Sequence, residues 1–340
     1  LDNNKIGPLQ SAPDTIGKPN SVKTIKVRHL ISVMLIIFII AVIAFGILYF
    51  QGKRPLENVQ PILASSPPKF LYSIYEGKNK LVRPLGVVVD NSGTVYITNN
   101  STHTVEVVSA RGDIKNSFGE QGELPGQFLY PYGIGVLPNG NLVIAETGNF
   151  RIQILTAKGD HVRQLVTQTN KLGILKPGLI CVDSLGNIYI GDLSGSQVLV
   201  MDQSGKVLRT IKNISYPHGI AVDERNKKLY ISDAGRVNVQ IFALDKQDNR
   251  PIAIMENFLP DMRFSMVRGL AVDNIGRLYV ADTIFNTIRV FDKDGKYLFS
   301  FGQQGSGDGE FLYPNQIAVD NLNRIYVTDW GNNRVQVWGY

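Results

Sequence analysis

The chain has 340 residues, 44% of them hydrophobic, with 35 Lys and Arg against 29 Asp and Glu and a formal net charge of +6. That apolar share supports a sizeable core and excludes a disordered or low-complexity chain. Residues 1–68 hold seven of the basic residues and only three acidic ones, so the rest of the chain is close to neutral and lacks the charge of a nucleic-acid binder.

In chain order, residues 1–29 are polar, with Pro and Gly, and read as a short cytoplasmic tail. Residues 30–50, LISVMLIIFIIAVIAFGILYF, carry no charge. As a helix rising about 1.5 Å per residue they match the hydrocarbon core of a bilayer, with Tyr49 and Phe50 suited to its interface. A cleaved signal peptide has a shorter apolar run and a small-residue cleavage site, which is not evident after Phe50. Lys18, Lys23, Lys26 and Arg28 precede the segment and Lys53 and Arg54 follow it. The larger positive cluster stays in the cytoplasm, so the expectation is a single-pass type II protein of the cell membrane with its C-terminal part extracytoplasmic. Residues 51–68 read as a linker.

From residue 69 the chain repeats itself. The clearest unit, GLAVDNIGRLYVADTIFNTIRVFDKDGKYLFSFG from Gly269, has four apolar runs separated by the turn signals DNIG, DTIFN and DKDG, the pattern of antiparallel strands joined by hairpins. Six units start RPLGVVVD, YPYGIGVL, KPGLICVD, YPHGIAVD, VRGLAVD and YPNQIAVD. A four-stranded unit of about 40–50 residues is the signature of a propeller blade. The sixth unit ends after three strands, at RVQVWGY. KFLYSIYEG, residues 69–77, has the pattern of the missing fourth strand (compare KYLFSFG from Lys296), so it is expected to join the last blade and close the ring. The single cysteine, Cys181, lies in the apolar run LICVD and reads as a small core residue; no intrachain disulfide can form.

These units resemble NHL repeats, which form six-bladed β-propellers. The resemblance is carried by PHGIAVD at 217–223, RLYVADTIFNTIRVFDKDG at 277–295 and PNQIAVDNLNRIYVTDWGNNRVQVW at 314–338, and it extends over 69–340. It implies an all-β fold with the N-terminal strand closing the last blade, preceded by the membrane helix. Proteins of this fold include lyases, lactonase-like enzymes, RNA-binding domains and extracellular sensors, so the fold alone selects no function. It also implies that the residue after each unit's first proline enters the central channel at its mouth, on the face carrying the longer loops. These are Leu85, Tyr132, Gly178, His218, Arg268 and Asn315, with Val267 replacing the proline in unit five. Tyr132, His218, Arg268 and Asn315 are the candidate ligand-binding residues, able to hold an anion or a carbonyl.

Glu146, Asp192, Asp233, Asp282 and Asp329, with Asn99 in unit one, end the second strands. Asp90, Asp183, Asp223, Asp273 and Asp320 end the first. Each precedes a turn, where a carboxylate accepts backbone N–H groups, so both sets are read as structural and not as a metal ring. The amidating lyases that resemble this fold hold zinc with histidines. Here His103, His161 and His218 are not expected to converge, His161 lying on the tight-turn face. No phosphate loop, nucleophile elbow or HExxH is present. The reading is a membrane-anchored propeller acting as a binding scaffold in the cell envelope, with an envelope or surface protein as partner and a small ligand as a further option. No nucleic acid, metal, cofactor or catalytic residue is assigned. The alternative is a lactonase-like or streptogramin-lyase-like enzyme at the channel mouth, with His218 as acid or base and Arg268 orienting the substrate.

Overall fold

In the computed structural model, residues 66–75, 81–166, 176–259 and 262–340 are described. They lie within one compact unit, Leu63–Tyr340. The expected tail, membrane span and most of the linker fall outside the described residues, among which no helix is long and apolar enough to cross a membrane.

The unit is an all-β, six-bladed propeller made of six four-stranded antiparallel sheets. The innermost strands are Pro84–Val89, Pro131–Val136, Pro177–Val182, Pro217–Asp223, Val267–Val272 and Pro314–Val319, opening blades 1 to 6. Each innermost strand packs against those of its two neighbours, and the sixth against the first, so the ring is closed. In blade 6 the outer strand comes from the other end of the repeat region. Lys69–Ile74 pairs antiparallel with Arg334–Gly339, from Lys69 opposite Gly339 to Ile74 opposite Val335. The closure expected from KFLYSI is therefore present.

The core lies between blades, not within them. Six apolar clusters occur, one at each seam between adjacent blades. Second strands such as Leu278–Asp282 and Ile325–Asp329 are buried at every position. A strand sandwiched between two neighbouring sheets has no solvent face, which is why LYVA and IYVT read as unbroken apolar runs. The closing seam includes Ile74 from the first strand, packed with Leu81, Val87 and Tyr326.

The turns follow the expected chemistry. Asp90 accepts the N–H groups of Ser92 and Thr94, while the Tyr96 hydroxyl donates to its other oxygen. Gly93 holds φ +83, a left-handed conformation glycine adopts without penalty. Asp183, Asp273 and Asp320 repeat the arrangement with Tyr189, Tyr279 and Tyr326. Blade 4 departs from the repeat, since its outer strand is only Ala253–Met255. The preceding loop is held by blade 3: the Arg209 guanidinium donates to the Ala243 carbonyl at 3.1 Å and to Asn249 Oδ1 at 3.2 Å.

Candidate functional site

The first feature that builds the site is a break in pairing. In every blade the register between the innermost strand and the next shifts between the first and fourth positions, as between Pro131 and Ile134 or Pro217 and Ile220. A bulge re-aims the side chains it contains. Its second position holds the six residues named for the channel mouth.

The structure brings four of them together. Tyr132 of blade 2 and His218 of blade 4 share a hydrogen bond, phenol oxygen to Nδ1, at 3.2 Å. Their rings lie 6.3 Å apart, centre to centre. Burial pushes the Tyr132 hydroxyl pKa up, and the Arg268 charge and the Asn315 carboxamide partly offset this. Burial, reinforced by Arg268, lowers His218 to about 4. Both groups are therefore neutral across the ordinary pH range.

Asn315 is fully buried beside this pair. Its carboxamide is at the edge of reach of the Tyr132 phenol, and neither of its polar atoms has a well-formed hydrogen bond. Arg268 is half-buried, and its Nε is buried without a partner. Arginines 151, 236, 277, 289, 324 and 334 are ion-paired to carboxylates, whereas Arg268 is in no ion pair among the described residues. Leu85 and Gly178 complete the ring without polar side chains.

The second-strand acids are engaged within their own blades. Glu146 accepts from the Leu129 N–H, Asn149, Arg151 and Gln153. Asp329 accepts from the Leu312 N–H, Asn332, Arg334 and Gln336. In blade 1 the acid has moved to the facing strand, where Glu106 sits near Asn99. His103 accepts the Tyr130 N–H through Nδ1, and His161 begins an outer strand in an exposed position. Among the described residues no group of three or more His, Cys, Asp or Glu could hold a metal ion, so the donor set does not fit the histidine zinc site of amidating lyases.

Sequence reasoning missed the rim around the mouth. Arg83, Tyr130, Tyr216 and Tyr313 each stand two residues before a mouth position, with φ between +52 and +56. Bulky residues rarely adopt this conformation. Three of them are latched by the preceding blade: His103 Nδ1, Asn286 Oδ1 and Asn333 Oδ1 accept the N–H groups of Tyr130, Tyr313 and Arg83. The tyrosines remain exposed, at 49%, 60% and 44% for Tyr130, Tyr216 and Tyr313. The signal was the thrice-repeated Tyr-Pro, which sequence reading takes only as the start of a unit.

Comparison with known proteins agrees with this architecture. Residues 261–339 match a family described as a 6-bladed beta-propeller, and residues 81–108 and 128–155 match the NHL repeat. The protein is a six-bladed β-propeller with NHL repeats at residues 81–108 and 128–155. It is 27% identical over 139 residues to the protein brain tumor of Drosophila melanogaster, covering 40% of this chain and 13% of that protein. It is 27% identical over 196 residues to the lactonase drp35 of Staphylococcus epidermidis, covering 54% of this chain and 59% of that one. The chain thus spans less than two thirds of the length of the curated relatives it matches. Two solved structures share the fold: a gluconolactonase from Xanthomonas campestris, with TM-score 0.62, 16% identity and coverage of 81% and 95% of the two chains, and the virginiamycin B lyase of Staphylococcus aureus, with TM-score 0.54, 18% identity and coverage of 81% and 88%.

Proposed function

We propose that the loop-face mouth of the channel is the active site of a hydrolase or lyase acting on a small, carbonyl-bearing anionic molecule, with a cyclic ester as the leading substrate class. The observation that carries this reading is Arg268, half-buried and without a carboxylate partner, beside the neutral Tyr132–His218 pair. The likeness to lactonases and a lyase supports it. Arg268 offers a planar fork of donors to a carboxylate or to the oxyanion formed when water adds to an ester carbonyl. His218 accepts the proton that the attacking water releases. The Tyr132 hydroxyl, held protonated, gives its proton to the departing ring oxygen and takes one back from the His218 imidazolium across their 3.2 Å hydrogen bond.

A base with a pKa near 4 is weak, and part of that depression comes from the Arg268 charge. An anion on Arg268 cancels that part and raises His218 toward the range in which it accepts a proton efficiently. Substrate binding and base activation are thereby linked. The test is a panel of carboxylated lactones and cyclic depsipeptides with product masses determined, since hydrolysis adds one water and elimination adds none. Turnover lost in both His218→Ala and Arg268→Ala supports the reading. No turnover of any compound, together with a His218 imidazole whose titration does not respond to carboxylates, overturns it.

The exposed tyrosines of the same face favour a second reading, docking of an envelope protein by a propeller tethered through residues 30–50. Cross-linking of the full-length protein in native membranes tests it: a single stoichiometric partner contacting Tyr130, Tyr216 or Tyr313 is the expected result.

A further inference from the structure

The channel has a second compartment, at the tight-turn face. Beyond the bulges the innermost strands enclose a cavity of about 500 Å3 whose lining includes the turn residues Asn91, Pro138 and Ser184. This falls within the roughly 300–1,000 Å3 of ligand sites. The sixth position of every innermost strand is valine: Val89, Val136, Val182, Val222, Val272 and Val319, all half-buried and all lining the cavity. A ring of buried aliphatic residues at the fourth position, from Val87 to Ile317, lies beneath them.

One polar side chain lies at the inner end. The third position is glycine in blades 1, 2, 4 and 5 and Leu179 in blade 3, but Gln316 in blade 6. Gln316 is 6% exposed, lines the cavity, and its Oε1 is buried without a partner. Its backbone is fixed by the N–H bond to Thr328 Oγ1 at 2.7 Å. The rim carboxylates are already committed, Asp90 to Ser92 and Thr94, and Asp183 to Leu185, Asn187 and Tyr189. The rim therefore offers no unengaged carboxylate to a cationic head group, and the walls offer no cation to an anionic one.

We infer that this lumen is a binding site for a neutral, linear aliphatic molecule with a terminal hydroxyl. The chain lies within the valine collar, and the hydroxyl oxygen accepts a hydrogen bond from the Gln316 carboxamide N–H. The site is separate from the loop-face mouth and does not depend on the activity proposed there.

Calorimetric titration of the full-length protein with 1-hexanol, 1-octanol, octanoate and octylamine tests this. The expected result is saturable one-to-one binding of the alcohols, about fourfold tighter per added methylene. Octanoate and octylamine bind at least about tenfold more weakly, because a desolvated charge finds no unengaged partner of opposite sign in the lining. Gln316→Leu weakens octanol about fivefold, the loss of one neutral hydrogen bond. Val182→Phe, or Val319→Leu should the first fail to fold, narrows the collar and removes or sharply weakens the binding. No saturable uptake by the parent protein overturns the inference. So does uptake unchanged in a folded collar variant, because any binding elsewhere on the chain is common to both proteins.

Discussion

The two ends of the channel are built from the same six strands and carry opposite chemistry. At the second strand position stand Leu85, Tyr132, Gly178, His218, Arg268 and Asn315; at the sixth, valine occurs six times. The bulge separates them. Side chains inside it are released from the ladder and can differ from blade to blade. Beyond it pairing resumes, and similar side chains must fill six similar spaces. Individuality at the mouth and uniformity in the lumen follow from where the hydrogen-bonded register breaks.

Removing what both ends depend on gives the largest effect. Deleting residues 69–74 takes Ile74 and the partly buried Phe70 out of two seams, where Phe70 stands edge-on to Trp338 at 5.9 Å. Two such side chains represent roughly 3–6 kcal/mol, so the melting temperature is expected to fall by about 10 °C. An unchanged melting curve would sink the closed-ring account and with it the comparison.

Acid separates the ends more selectively. His218 has a folded pKa of about 4 against an ordinary 6.5. Above pH 6.5 it contributes no pH dependence. Between 6.5 and 4 the unfolded chain binds a proton that the folded chain refuses, so stability falls by about 3 kcal/mol as pH is lowered. Denaturant titrations at both pH values should show a flatter profile for His218→Gln. Arg268→Gln, which removes the positive neighbour, should raise the pKa at which the His218 imidazole titrates, followed by NMR, while octanol binding at the far end stays constant.

A change in the shared wall comes next. A Cβ at Gly86 would lie 2.5 Å from the Tyr132 carbonyl oxygen and 2.9 Å from Thr98 Oγ1. Gly86→Ala is expected to cost about 1–3 kcal/mol and to reduce turnover by displacing Tyr132. Full activity in a destabilised Gly86→Ala protein would show that Tyr132 need not be held so closely.

The smallest effect is at the rim. Tyr216, 60% exposed with φ +55, is held in a conformation glycine adopts freely. Tyr216→Gly should leave stability unchanged or raise it by up to about 1 kcal/mol, while increasing KM severalfold. A loss of stability without a change in KM would assign the tyrosine to packing.

Much of this was legible in the chain. KFLYSI against RVQVWG announced ring closure because a blade with three strands has an unpaired edge. The turn aspartates were readable because they act on N–H groups two to four residues away. The first position of the innermost strand, proline in five units and Val267 in the fifth, marked where Tyr132, His218, Arg268 and Asn315 stand in the blades. Local patterns did not show that Tyr132 reaches past blade 3 to His218, since that contact joins residues 86 positions apart. Gln316 carries no local signal in the sequence, because its significance depends on five other strands surrounding it. The exchange of acid and amide between Asn99 and Glu106 was hidden because both strands still read as ordinary blade sequence.

Closure by a strand from the opposite end also governs when the protein can exist. Lys69–Ile74 leaves the ribosome early and its partner Arg334–Gly339 late. Through most of synthesis the first blade has no sixth neighbour, and its seam-facing side chains are exposed to solvent or to chaperones. Neither compartment has a complete wall until the last blade arrives. A translation product cut short before residue 334 would have no partner for its first strand, so the same pairing that stabilises the ring also acts as a check that the ring was finished.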